Sequence, residues 1–233
     1  MNMQEVYKNK YFSILGDSIS TFEGYSQPRY AEFYDLSRKY ASGILTPADT
    51  WWGKVIERLG GELLVNNSIS GSTVCKKRGS EGKACGCSDE RTSDLNIDDS
   101  LPDVIMVYIG TNDWGGGVKL YPENDAEKED LSIFSVAYGA MLEKLRKNYP
   151  LAEIWCFTLP VSTYTRNENF VFPYCYGGSH IEKYCGVIRA CAEEKGCRVI
   201  DLHRVCKPFD TMDEWHPNLE GMQTIAEAAL SCL

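Results

Sequence analysis

Four short stretches of this sequence combine residue types and spacings that could carry out acyl transfer. Gly16-Asp17-Ser18-Ile19-Ser20 puts a serine hydroxyl at a tight turn after a short apolar run. A serine is a weak nucleophile until a neighbouring base takes its proton. Asp213-Glu214-Trp215-His216 sets a carboxylate and an imidazole on one turn, where the carboxylate can accept from one ring nitrogen and leave the other as base. Asn112, in Gly110-Thr111-Asn112-Asp113, carries an amide that could be aimed at an oxygen as it becomes negative. Gly71, in Ser68-Ile69-Ser70-Gly71-Ser72-Thr73, has no Cβ to keep a ligand from its backbone N–H. Each stretch alone has a plainer reading: Ser18 as a helix N-cap, Gly71 as a turn glycine, Asn112 as an Asx turn, Asp213 and His216 as a satisfied surface pair. Of the other histidines, His180 opens a predicted helix and His203 follows a predicted strand, so His203 is the rival base. Ser20 and Ser70 are the rival nucleophiles.

The elements that must position these residues are legible from periodicity. Apolar runs at 11–15, 62–67, 103–110, 153–159 and 197–202 each end in a polar or Gly-rich turn and read as strands. Between them, Trp52, Val55, Ile56 and Leu59 follow helical spacing, as do Phe134, Tyr138, Met141, Leu142 and Leu145, and then Ile181, Tyr184, Cys185 and Ile188. A last helix uses Met222, Ile225, Ala226, Ala229 and Leu230. Strand–helix alternation implies a parallel sheet covered on both faces, because parallel neighbours are joined by right-handed crossovers. Ligands of such sheets bind at the carboxyl ends of the strands. Ser18, Gly71 and Asn112 all fall on that edge, and the Asp213 to His216 turn precedes the last helix.

Four chemically coherent stretches on one predicted edge make coincidence the poorer explanation. Their combination resembles the GDSL-type, or SGNH, hydrolase family, named for Ser, Gly, Asn and His in four blocks, and the resemblance runs from Gly16 to Asn218. It implies a three-layer α/β/α sandwich around a roughly five-stranded parallel sheet, flavodoxin-like in arrangement. It also implies Ser18 as nucleophile, Asp213 and His216 as its acid and base, and an oxyanion hole made by the N–H groups of Ser18 and Gly71 with the Asn112 side chain. Ile19 stands where the family usually has Leu, a conservative apolar change. The implied activity is that of a serine esterase.

Composition narrows the partners. The net charge of -9 and a pI near 4.9 repel polyphosphate and anionic lipid, which argues against nucleic acid and membrane partners and for a small neutral or cationic acyl ester. No run approaches the ~20 apolar residues needed to span a bilayer, and the N-terminus lacks a signal-peptide pattern. A cytoplasmic protein with reduced thiols, folding as a single domain over 1–233, is the expectation. With no lid-like apolar helix evident, short acyl groups are expected, acetyl above all, on a carbohydrate or similar small polar alcohol. An acyltransferase or thioesterase using the same site is the alternative within the same chemistry. A flavin or nucleotide binder is the alternative outside it, opposed by the lack of GxxxxGK[ST] or GxGxxG after a strand. A non-catalytic carbohydrate-binding module is another. No cofactor is expected.

Two stretches break the alternation, a polar insertion around 75–100 and an aromatic loop around 160–180. Cys75, Cys85 and Cys87 in the first match structural zinc spacing poorly, so no metal is expected and these thiols are read as structural or redox-inert. Aromatic residues crowd the predicted mouth: Trp51, Trp52, Trp114, Tyr164, Phe170, Phe172, Tyr174, Tyr176 and Trp215. One of Trp51 and Trp52 is expected to face the core, and the 164–176 group to form a substrate wall.

Overall fold

In the computed structural model, which describes residues 3–27, 30–76, 84–164, 166 and 178–233, five strands form one sheet: β1 (Tyr11–Gly16), β2 (Glu62–Ser68), β3 (Val104–Tyr108), β4 (Glu153–Phe157) and β5 (Arg198–Ile200). Their order is β2-β1-β3-β4-β5, and every neighbouring pair is parallel. The central strands are buried on both faces, which is why β3 reads Val-Ile-Met-Val-Tyr without alternation. A further short parallel pair joins Ser162–Thr163 to Phe209–Asp210 beyond the sheet.

Helices α1 (Trp51–Leu59) and α5 (Leu219–Ser231) pack together on the sheet. So do α2 (Asp89–Ser93), α3 (Phe134–Asn148) and α4 (Ile181–Glu194). Thr50 starts α1 by accepting from the Gly53 N–H, and Gly60, in the left-handed region, ends it. The residues whose spacing predicted these helices are buried in α1, α3, α4 and α5, except Leu230, which is partly buried. The short α2 lies inside the insertion that reads as polar loop; Ser88 caps it, and it presents Arg91 and Thr92 to the interior.

Because the strands are in register, Gly16 of β1 sits opposite Ser68 of β2 and Tyr108 of β3. The three loops that leave this edge are therefore neighbours, and they carry Ser18, Gly71 and Asn112. Among the described residues no helix is long and apolar enough to cross a membrane.

Candidate active site

Gly16 ends β1 where a Cβ would meet the Ser68 hydroxyl at 2.6 Å and the Ser20 Cβ at 2.7 Å, so only glycine lets the chain turn here. The turn that follows is a single 3-10 turn over Ser18–Ser20, capped by Asp17, whose carboxylate accepts from the Ile19 N–H. Ser18 is thus not the cap but the first residue beyond it. Both indole N–H groups of Trp51 and Trp52 point at this turn, to the Ser20 hydroxyl at 3.2 Å and the Ser20 carbonyl at 3.0 Å. Both tryptophans are buried. The expectation that one faces the core thus understates their role, since each also has a polar task holding the serine turn.

Ser18 Oγ lies 2.8 Å from His216 Nε2, and His216 Nδ1 lies 2.8 Å from Asp213 Oδ2. An ionised carboxylate can only accept, so Nδ1 carries a proton, and in the neutral ring Nε2 is the nitrogen left to accept from the Ser18 hydroxyl. The Trp215 and His216 backbone N–H groups also donate to Asp213 Oδ1, each at 2.8 Å. Burial works against ionisation of Asp213, yet the His216 hydrogen bond and charge and these two N–H groups hold its carboxyl below the usual carboxylate range. Phe33 lies flat on the His216 ring at 3.4 Å, and Tyr34 meets its edge while donating to the Pro217 carbonyl. The imidazole is clamped from three sides.

Gly71 adopts φ +77°, open to glycine, and among the described residues, its chain neighbours apart, nothing lies within 4 Å of where its Cβ would be. Asn112 Nδ2 donates to the Ser72 carbonyl at 2.9 Å, which joins the β3 loop to the β2 loop and leaves the second N–H of that amide for a ligand. Asp113, fully buried, accepts from the Val74 N–H at 2.8 Å and the Cys75 N–H at 3.0 Å, pinning the same segment.

Arg91 lies beneath both loops with no exposed surface. Its guanidinium donates to the Gly16 carbonyl at 2.8 Å, the Asn67 carbonyl at 2.7 Å, the Ser72 hydroxyl at 2.8 Å and the Ala84 carbonyl at 3.3 Å. Burial lowers its pKa to about 10, which leaves it charged at neutral pH. Asp17, also fully buried, is pushed up by that burial to about 7, against the hydrogen bonds from Ile19 and Thr111. Sequence reasoning missed Arg91, Asp113, Asp17 and Phe33. An arginine in a polar run carries no mark of burial, because three of its four acceptors are main-chain carbonyls and none is a sequence neighbour.

Ser18 pairs with His216, and both ring nitrogens of His203 have other partners. Its Nδ1 faces the Leu159 carbonyl at 3.1 Å and its Nε2 the Glu182 carboxylate at 3.0 Å, within an ion-pair network that also includes Arg189 and Asp201. Glu182, Cys185 and His203 are the metal-type ligand atoms that converge among the described residues, and Glu182 is already engaged there by Arg189. Of the expected aromatic mouth, Trp114 is buried and meets Trp215 edge-on at 5.1 Å. Phe170, Phe172, Tyr174 and Tyr176 lie outside the described residues. Ile19, Thr111, Trp114, Leu159, Phe209 and Trp215 line a small recess next to the serine turn.

The family model for GDSL-like lipases and acylhydrolases matches residues 10–166, a span that includes Ser18, Gly71 and Asn112 and stops short of Asp213 and His216. No curated protein matches the chain. Among solved structures, a candidate GDSL-like lipase from Bacteroides ovatus is 30% identical, covers 96% of this chain and 97% of its own, and superposes with a TM-score of 0.71. A second, from Bacteroides uniformis, has the same identity and TM-score over 96% of this chain and 94% of its own. A carbohydrate esterase family 2 enzyme with a carbohydrate binding domain, from Corynascus thermopiles, shares the fold at 14% identity and a TM-score of 0.61, over 97% of this chain and 66% of its own.

Proposed function

The chain belongs to the GDSL-like lipase/acylhydrolase family and is a carboxylic ester hydrolase, and on that footing we propose that it removes short acyl groups, acetyl above all, from a carbohydrate or similar small polar alcohol. The observation that carries the mechanism is the 2.8 Å contact between Ser18 Oγ and His216 Nε2. In this reading His216 takes the Ser18 proton as Oγ bonds to the acyl carbon. The carbonyl oxygen becomes negative and is met by the N–H groups of Ser18 and Gly71 and the free N–H of Asn112. His216 then gives its proton to the departing alcohol, and a water molecule repeats the sequence to release the acid and restore Ser18. Asp213 keeps the imidazole in the tautomer that can accept.

One observation supports the short acyl group. The acidic net charge disfavours an anionic interface. The carbohydrate portion is supported by the shared fold of the family 2 carbohydrate esterase. The test is a panel of p-nitrophenyl esters from acetyl to palmitoyl run beside acetylated sugars. Acetyl should give the highest kcat/KM, with acetylated sugars as substrates, and a higher value on palmitoyl than on acetyl would overturn the assignment.

A further inference from the structure

The insertion that reads as polar loop contains a thiol pair that esterase chemistry does not use. Cys85 Sγ and Cys87 Sγ lie 3.5 Å apart, Cys85 half-buried and Cys87 buried. Between them Gly86 is wedged against the protein, where a Cβ would meet Ile109 Cδ1 at 3.1 Å, Met141 Sδ at 3.2 Å and Val74 Cα at 3.3 Å. Cys87 is fixed from the other side by Lys144, which donates to its carbonyl at 2.8 Å. The hydrogen bond from Cys87 and the nearby Arg91 charge lower the pKa of the Cys85 thiol, so it carries thiolate character. Arg91 has no carboxylate among its hydrogen-bond partners, and Cys85 supplies part of the negative charge that a buried guanidinium needs.

This pair is tied directly to the oxyanion loop. The Gly86 N–H donates to the Thr73 carbonyl at 2.8 Å and the Cys87 N–H to the Val74 carbonyl at 3.2 Å. Thr73 and Val74 follow Gly71 and Ser72, and the Val74 and Cys75 N–H groups are the ones held by Asp113, next to Asn112. Arg91 binds the Ala84 carbonyl and the Ser72 hydroxyl together. We propose that Cys85 and Cys87 form a reversible dithiol–disulfide site whose oxidation by a low-molecular-weight disulfide displaces the Gly71 loop and lowers esterase activity. The inert role expected from the sequence does not account for two sulfurs in contact beside a buried cation.

The chemistry balances as a thiol–disulfide exchange. Cys85 thiolate attacks one sulfur of the small disulfide, forming a mixed disulfide and releasing one small thiolate. The Cys87 thiol gives its proton to that thiolate, and its sulfur attacks Cys85 Sγ, expelling the second small thiolate, which takes up a proton from water. Two protein thiols are oxidised by two electrons, and the small disulfide is reduced to two thiols. Closing the pair brings the sulfurs to about 2.05 Å. Gly86 and Cys87 are hydrogen-bonded to the Thr73 and Val74 carbonyls, so the displacement passes to that segment. Oxidation also removes the negative charge that Cys85 offers Arg91.

The effect on activity rests on the esterase reading, whereas the disulfide itself can be read without it. The full chain is equilibrated with oxidised and reduced glutathione, free thiols are trapped with N-ethylmaleimide, and tryptic peptides are weighed. Cleavage after Lys83 and Arg91 isolates Cys85 and Cys87 in one peptide, apart from Cys75. The proposal expects that peptide to lose two hydrogens and escape trapping. Hydrolysis of p-nitrophenyl acetate should fall several-fold in kcat and return with dithiothreitol. Cys87→Ser should stop at a mixed disulfide on Cys85. Both thiols trapped under oxidising conditions, a stable mixed disulfide in the unaltered protein, or a bond from Cys85 to Cys75 would each overturn the site. A disulfide that forms with activity unchanged would overturn the coupling to the loop. A reduced protein with no hydrolysis would count against the esterase reading alone, since the peptide mass still decides the disulfide.

Discussion

Asn112 spends one amide N–H on the Ser72 carbonyl, and in the proposed mechanism the other meets the oxyanion. The first positions the loop, and the second strengthens as charge develops, so it acts on the transition state more than on the bound substrate. Asn112→Ala should therefore lower kcat roughly a hundredfold or more. Steady-state kinetics on p-nitrophenyl acetate would check this, and a change confined to KM would reduce Asn112 to a substrate-positioning role. The two aspartates near Ser18 respond to pH in opposite directions. Asp213 is held below its usual range, so the stability it contributes is present above its unfolded pKa and is lost as pH falls through the folded one. Asp17 is pushed up to about 7, so the folded chain keeps a proton that the unfolded chain releases from about pH 4. Its contribution to stability therefore declines as pH rises from about 4 to about 7 and is flat beyond. Urea midpoints of the unaltered chain and Asp17→Asn, measured from pH 5 to 8, should converge or cross because the unaltered chain alone carries this decline. Parallel curves would show that Asp17 is ionised throughout.

The element that organises the site is the segment from Ala84 to α2, through Arg91. One guanidinium holds the ends of β1 and β2 and the Ser72 hydroxyl, so the serine turn and the oxyanion loop share a single support. Arg91→Met keeps the volume and leaves the Gly16 and Asn67 carbonyls buried without those donors, at a cost of about 2–4 kcal/mol. The urea midpoint should drop accordingly and kcat with it, while Arg91→Lys, which keeps the charge but not the fork, should fall between. A midpoint unchanged in Arg91→Met would show that neighbouring groups or water satisfy those carbonyls. This segment also marks where legibility ends. The five strands and α1, α3, α4 and α5 were readable because their apolar spacing is a direct imprint of burial on the sheet. The positions of Ser18, Gly71 and Asn112 just after β1, β2 and β3, and of Asp213 and His216 just before α5, were readable because the element boundaries place them there. Arg91 and α2 were not, since a buried cation whose partners are carbonyls leaves no pattern in neighbouring residues. Phe33 was equally silent, because nothing in its local sequence specifies a stack on His216 across the fold.

At the scale of the whole molecule, the charge of -9 sets a field that every substrate meets before it reaches the recess. Acetyl esters of anionic alcohols should therefore show lower kcat/KM than neutral ones of equal size, and the gap should narrow as salt rises. A gap that does not change between low and high salt would assign the preference to local contacts. The sheet order β2-β1-β3-β4-β5 gathers Ser18, Gly71 and Asn112 onto three adjacent strand ends, and the turn before α5 returns Asp213 and His216 to the same edge. The central claim is that this convergence makes Ser18 the nucleophile. The most direct measurement is to label the protein with a fluorophosphonate and locate the modified residue by peptide mass spectrometry, in the unaltered chain and in Ser18→Ala. The account predicts one label, on Ser18, and in Ser18→Ala a folded protein with neither label nor ester hydrolysis. A label on Ser20 or Ser70, or hydrolysis retained by folded Ser18→Ala, would contradict it.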